Sequence, residues 1–238
     1  MPPHTSLRFQ TDALADLLTG ADPALPVPTC PGWTLADLSS HVGGGQRWAA
    51  ALVRRGTPPP QPRDRAPADP GPWLREGSDL LEAAVHDAGD TEVWTFLGPR
   101  PARFWTRRMR NDLVVHRADA ALALDEPFEV DRQVACDVIG EGLDLVAAGS
   151  AAGLSPGLTA LRGEGVLRFS ATDVPRAWSV RRSPRAVTWS HLDEPADVTV
   201  SGPLTQVLLV LNRRRSPQGL RVEGDSGLLE YWLEHTAF

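Results

Sequence analysis

From Leu7 to about Ala148 the apolar residues recur at helical spacing, and beyond a tract of small residues they recur instead in short alternating runs. Leu7 to Leu18 reads as a helix closed by Gly20. Thr34 caps a second helix, with Asp37 at its third helical position in a variant of the capping box. Leu35, Leu38, Val42, Gly45, Trp48 and Leu52 mark the inner face of that helix. Pro58 to Pro72 forms a long loop, and Pro72 is placed to begin a third helix through His86. The longest helix runs from Pro101 to Leu124, and a fifth from Asp131 to Ala148. This half predicts a helical bundle.

The tract from Ala148 to Gly157 is built of Gly, Ser, Ala, Leu and Pro and reads as a flexible joint. It would divide the chain into a bundle of residues 1–150 and a smaller domain of residues 158–238. In the smaller domain, Gly165–Ser170, Ala177–Val180, Ala186–Trp189 and Asp197–Ser201 have the length and β-branched or aromatic content of strands. Pro203–Leu211 and Ser226–His235 read as helices, so the second domain is predicted to be mixed α+β, with helices covering one sheet face. The sequence shows no internal repeat.

Composition narrows the function classes. At 238 residues with 42% hydrophobic and 23% charged positions the chain can bury a sizeable core. A net charge of -6 argues against nucleic acid or an anionic membrane as the main partner, because both call for a concentrated positive field. No run reaches the ~18 apolar residues of a membrane span. Met1 to Thr5 also lacks the basic and apolar regions of a signal peptide, so a cytoplasmic location is expected. Cys30 and Cys136 are too few and too far apart for a disulfide framework and read as reduced structural thiols. All 24 basic residues are Arg, which excludes Schiff-base chemistry by a lysine.

The chemistry concentrates in Asp112 and His116. Four residues apart on a helix, they stack one turn above the other on one face. Trp105, Met109, Asp112, His116 and Ala120 form a single stripe, which puts a carboxylate on the core side where it needs a partner. His41 lies on the apolar side of the second helix and is the best third member. A His/Asp/His set with an open position is the ligand pattern of a catalytic zinc or similar divalent ion; a plain buried hydrogen bond between Asp112 and His116 is the alternative. His4, His86, His191 and His235 read as surface or structural residues.

The run Thr29-Cys30-Pro31-Gly32-Trp33-Thr34 through His41, followed by Asp112-Leu113-Val114-Val115-His116-Arg117-Ala118-Asp119, resembles the mycothiol-dependent maleylpyruvate isomerase family, within the DinB-like metal-dependent thiol transferases. Val198 to Pro203, Leu208 to Arg215 and Arg221 to Asp225 resemble that family's second domain, so the likeness spans both halves. It implies a DinB-like bundle and a metal, zinc by preference, held by His41, Asp112 and His116. It further implies mycothiol as thiol cofactor or co-substrate, and a small-molecule electrophile attacked by the thiolate. The outcome would be isomerisation or S-transfer. A non-catalytic protein that binds or senses a small molecule on the same fold is the other class. The chain departs from the family at Asp112, where Glu is expected, and at Asn111, where His is common.

Asp119 and Arg214 follow from the same resemblance, and the glycines of the second helix from helix propensity alone. Asp119, one turn beyond His116, is expected to support catalysis as acceptor for the ligand histidine, with a surface or Arg-paired aspartate as the alternative. Arg214 could clamp a substrate carboxylate, although Arg213 and Arg215 beside it make a solvated basic cluster the favoured alternative. Arg117 reads as a structural ion-pair partner. Gly43, Gly44 and Gly45 inside a helix cost roughly 1 kcal/mol each relative to Ala, so something must offset them. Gly45, one turn from His41, is read as leaving space for the thiol or its acceptor, with close helix packing as the alternative.

Overall fold

A computed structural model describes residues 5–61 and 65–236. Two compact units emerge, Met1–Asp131 and Arg132–Phe238. His4, read above as a surface histidine, lies outside the described residues.

The first unit contains α1 (Leu7–Leu17), α2 (Leu35–Arg55), α3 (Gly71–Ala88), the short antiparallel strands β1 (Glu92–Val93) and β2 (Arg100–Pro101), and α4 (Arg103–Ala123). The capping box at the start of α2 forms as the sequence predicts: Asp37 N–H donates to Thr34 Oγ1 at 3.3 Å, and Thr34 N–H donates to Asp37 Oδ2 at 3.0 Å. One apolar cluster joins Leu14, Leu38, Val42, Leu74 and Leu113 from all four helices. A second joins Leu7, Leu52, Leu81 and Trp105. The two-residue strands are too short to show a periodicity, which is why the sequence pattern passes over them.

The second unit contains α5 (Arg132–Ala152), α6 (Pro156–Ala160), β3 (Val166–Ala171), β4 (Ala177–Arg182), β5 (Val187–Ser190), β6 (Val198–Gly202), α7 (Leu204–Leu211), β7 (Arg221–Gly224) and α8 (Ser226–His235). Its sheet has the order β5-β4-β3-β6-β7, with β3 and β6 parallel and the other neighbours antiparallel. Leu167, Phe169, Trp178, Val180, Val198 and Val200 are buried on the central strands. The edge strand β7 carries one apolar residue and stands exposed, so nothing in its pattern announces a strand.

Two expectations are corrected. α5, read as the last helix of the first domain, packs within the second unit: Trp189 Nε1 on β5 donates to Asp144 Oδ1 at 3.0 Å, and Val187 N–H donates to Ser150 Oγ at 2.9 Å. The tract at 148–157, read as a flexible joint, is the end of α5 turning tightly into α6. Its small residues permit contact, since a Cβ on Gly149 would stand 2.4 Å from Leu158 Cδ1. Arg162 then ties the turn down by donating to Ser150 O at 2.5 Å and Ala151 O at 3.1 Å. Among the described residues, no helix is long and apolar enough to cross a membrane.

The glycines of α2 have different reasons. A Cβ on Gly43 would lie 2.1 Å from Trp73 Cζ3, so the ring of α3 packs too closely on α2 for a side chain at this point, whereas one on Gly77 of α3 would lie 2.7 Å from Arg47 Nη1, the mobile end of a long side chain that can move aside. At Gly45 a Cβ would meet only Met109 Sδ, at an ordinary 3.5 Å. Gly43→Ala should therefore lower stability by about 1–3 kcal/mol through overpacking. Gly45→Ala should leave it unchanged or raise it by up to about 1 kcal/mol through helix propensity. Urea unfolding of both variants checks this; equal losses would mean that Trp73 is not the constraint.

Candidate metal centre

A tight loop and two helices build the site. Pro31-Gly32 takes the central positions of a turn closed by Trp33 N–H donating to Cys30 O at 3.0 Å, and Gly32 sits at φ 84°, the left-handed value that the third residue of a type II turn requires. Val27 N–H then donates to Trp33 O at 2.9 Å, folding the loop back on itself just ahead of the α2 cap. Thr29, Cys30 and Trp33 are thereby presented to α4.

Asp119 of α4 is fully buried and anchors the group. Its Oδ1 accepts from Thr29 Oγ1 at 2.5 Å; its Oδ2 lies 2.9 Å from His116 Nδ1 and accepts from Cys30 Sγ at 3.4 Å. A carboxylate so placed accepts a proton carried on Nδ1, which leaves Nε2 of a neutral His116 as a bare lone pair. That nitrogen faces Asp112 Oδ2 at 3.7 Å. His41 Nε2 approaches the same oxygen at 3.3 Å, and the two imidazole rings meet edge-on with centroids 4.7 Å apart. Trp33 covers both rings, at 5.0 Å from His41 and 5.7 Å from His116.

These distances bear on whether a cation fits. Ligands at about 2.1 Å from a tetrahedral ion stand about 3.4 Å from one another. The observed 3.3 and 3.7 Å bracket that edge, and all three donor atoms lie within 4.8 Å of each other. The donor set, two imidazoles and a carboxylate, suits zinc and similar divalent ions. A second cluster able to hold a metal, Cys30, His116 and Asp119, shares one histidine with the first. Its carboxylate is already occupied by three donors and is sealed from solvent, so the first cluster is the accessible one.

His41 is not where its sequence position suggests. Expected on the apolar side of α2 with no solvent to hydrate it, its side chain is 45% exposed, against 24% for Asp112 and 10% for His116. The site therefore sits at the rim of the bundle, with one ligand open to small molecules. Gly45 lies half-buried on the same side of α2, facing Met109. Arg214 belongs to the second unit. It follows Arg213, whose φ of 63° ends α7 in the left-handed conformation, and its Nη1 donates to Asn212 O at 2.7 Å. Arg117 donates to Glu129 O at 2.5 Å and packs on Phe128, with burial lowering its pKa. Asn111 is buried, its Oδ1 accepting from Arg110 Nε and Nη2 at 3.0 and 2.8 Å. His86 and His191 are exposed, and His235 stacks on Tyr231.

Sequence reasoning gave no place at the site to Arg108, nor to Thr29, Cys30 and Trp33, which it used only as part of the run that carries the family resemblance. Arg108 Nη2 donates to Asp112 Oδ1 at 2.5 Å, holding one carboxylate oxygen and leaving the other to the histidines. Its signal was available, because Arg108 lies four residues before Asp112 on the same helix. For the loop residues no spacing signals the contact with Asp119, because that link spans about ninety positions.

Burial would raise the Asp112 carboxyl, but the hydrogen bond to His41 and the charges of Arg108, His116 and His41 overcome it and hold the group well below the usual carboxylate range. Such a group stabilises the fold above its unfolded value of about 3.9 and loses that contribution as pH falls through the lower folded value. In the metal-free protein the stability gap between wild type and Asp112→Asn should be widest at pH 5–7 and narrow progressively as pH falls below about 4, the unfolded value, towards the lower folded one; a gap independent of pH would refute the charge network. Arg108→Ala and Asp119→Asn should each weaken zinc binding by about 10- to 100-fold in a competitive chelator titration. Unchanged affinity would show that neither residue positions a ligand.

The model of the mycothiol maleylpyruvate isomerase N-terminal domain matches residues 5–121, and that of the MDMPI C-terminal domain matches residues 133–230. Among solved structures the chain is similar to a mycothiol-dependent maleylpyruvate isomerase at 18% identity, over 91% of this chain and 90% of that one, with a TM-score of 0.49. A histidine-to-alanine variant of such an enzyme gives 17% identity over the same shares, 91% and 90%, and the same TM-score of 0.49. A UbiJ-SCP2 ubiquinone synthesis protein is similar over 39% of this chain and 89% of its own, at 24% identity and a TM-score of 0.28. No curated protein matches.

Proposed function

The chain belongs to the mycothiol maleylpyruvate isomerase family, and on that premise we propose that it is a metal-dependent, mycothiol-dependent isomerase or S-transferase acting on a small electrophilic molecule. One observation carries the reading: the Nε2 atoms of His41 and His116 converge on a single carboxylate oxygen at spacings close to a tetrahedral edge. His41, Asp112 and His116 would hold a divalent ion, zinc by the nature of the donors. When bound, such a cation leaves a position for a thiol and favours its thiolate form at neutral pH.

The chain's own residues do the rest. Asp119 keeps the Nδ1 proton of His116 in place and so fixes which nitrogen is offered. Arg108 restrains Asp112 against rotation. Trp33 shields one side of both imidazoles from water, while the exposed edge of His41 leaves a way in. Gly45 leaves room beside His41 for the thiol or its acceptor, and Arg214 is the candidate partner for a substrate carboxylate. A cytoplasmic location belongs to the same proposal.

Native protein should bind about one zinc per chain, measured by atomic emission, and lose it in the His41→Ala/His116→Ala double variant. Incubation with mycothiol and maleylpyruvate or related electrophiles, followed by chromatography and mass spectrometry, should then give either an isomer of equal mass or a thiol adduct. Gly45→Leu should retain the metal while losing thiol binding. A fully folded native protein that binds no metal, or metal-loaded protein that neither turns over nor adds a thiol, would overturn the reading.

A further inference from the structure

The seam between α2 and α4 runs on past the metal centre. Three rungs cross it, in opposite order along the two helices: His41 Nε2 to Asp112 Oδ2 at 3.3 Å, Gly45 facing Met109 Sδ, and Trp48 edge-on to Trp105 with ring centroids 5.2 Å apart. Seven residues of helix separate His41 from Trp48, a rise of about 10 Å. Solvent reaches the seam along this length, since His41 is exposed and Gly45, Trp48 and Met109 are half-buried. Gly45 puts no side chain between the outer rungs, so the stretch joining them is floored by the Met109 thioether, a soft apolar surface.

The far end of the seam is aromatic and open. Trp94 and Phe96 are 41% and 40% exposed, and both lean on buried Trp105, Trp94 stacked at 6.3 Å and Phe96 edge-on at 6.0 Å. Half-buried Phe104 meets Phe96 edge-on at 5.6 Å. The exposed pair is rigidly mounted: Gly98 N–H donates to Thr95 O at 3.0 Å with Gly98 at φ 86°, the Thr95 between the two rings is buried, and Trp105 Nε1 donates to Trp94 O at 3.0 Å. Trp48 Nε1 is likewise taken, by Pro59 O at 2.9 Å. These two indoles therefore offer ring surface and no free donor. Two large rings fixed side by side in water lie next to the metal centre on the same helix pair, an arrangement that folding alone does not call for.

We propose that this aromatic end of the seam binds an apolar, ring-bearing tail of the electrophile, whose reacting carbon lies at the metal centre about 10 Å away. The inference rests on the metal and thiol reading given above and adds the substrate class. Continuity with the metal centre along one helix pair makes the occupant the acceptor molecule. A hydrophilic thiol such as mycothiol needs hydrogen-bond partners, which aromatic faces do not supply. An aromatic tail gains offset or edge-on contacts with rings that are already held in place, so little ordering opposes its binding.

Two measurements on the full-length chain test this. In the first, the metal-free protein is titrated with 7-phenyl-2-heptanone, a saturated ketone that no thiol attacks. The indole N–H resonance missing from Trp94→Phe should shift saturably, and calorimetry should show binding weakened about five- to tenfold in Trp94→Ala and in Phe96→Ala but only about twofold in Trp94→Phe. In the second, zinc-loaded protein and mycothiol are given methyl enones that carry a phenyl ring on linkers of increasing length. The thiolate sulfur bonds to the β-carbon, the double-bond pair moves to the α-carbon, and that carbon takes a proton from water. The kcat/KM for the adduct should exceed that for 3-penten-2-one about tenfold at the linker that sets the ring about 10 Å from the β-carbon, and this preference should vanish in Trp94→Ala. Adduct formed equally well at every linker length would overturn the inference and leave the metal and thiol reading standing. Ketone binding without any adduct would overturn that reading, and the acceptor's role with it. A Trp94 resonance that ignores the ketone, a Trp94→Ala variant that raises the KM for mycothiol instead of that for the enone, or a dimer in sedimentation that Trp94→Ala dissociates would each overturn the inference.

Discussion

A fully buried carboxylate has to be satisfied, and Asp119 is satisfied by groups drawn from two distant parts of the chain. Its partners Thr29 and Cys30 lie in the loop that precedes α2, and His116 lies one turn away on its own helix. Meeting this requirement therefore docks the loop on α4. The docked loop places Trp33 over the two imidazoles and sets the start of α2, six residues before His41. Position and tautomer of the candidate ligands follow from the need to pair one negative charge out of water.

The opposite side of α2 carries a different constraint. Gly43 lets α2 pack against α3 at a point where only glycine fits, with Trp73 filling the place of the missing side chain and Arg47 stacked 4.1 Å above its ring. On the other side of the same helix, a side chain at Gly45 would meet only Met109 Sδ at an ordinary 3.5 Å. The two positions look identical in sequence; they separate only when the neighbouring helix is present.

Elements with strong periodicity were legible: the α2 capping box, the long α4 and the alternating central strands β3 and β6 all emerge from local pattern. The Asp112 and His116 pair was legible for the same reason, since helical spacing alone puts them on one face. Elements held by distant contacts were not. β7 has a single apolar residue and takes its strand form from pairing with β6. The tract after α5 looked flexible because small residues serve both linkers and close packing, and only the position of Leu158 decides between them. His41 was expected to be buried because apolar spacing marks a face of the helix without showing where along its length that face meets solvent.

The shorter carboxylate at position 112 gains a physical account from Arg108. Asp has one methylene less than Glu, so the reach of its carboxylate is fixed more closely by its surroundings. A bridge of 2.5 Å to a guanidinium one turn earlier on the same helix does this, taking Oδ1 and turning Oδ2 toward both histidines. A longer glutamate would carry the carboxylate past this position and loosen the restraint, because each added rotatable bond multiplies the conformations to be frozen. Asp112 and Arg108 are best understood as one unit: the short side chain gives up reach and gains a fixed direction.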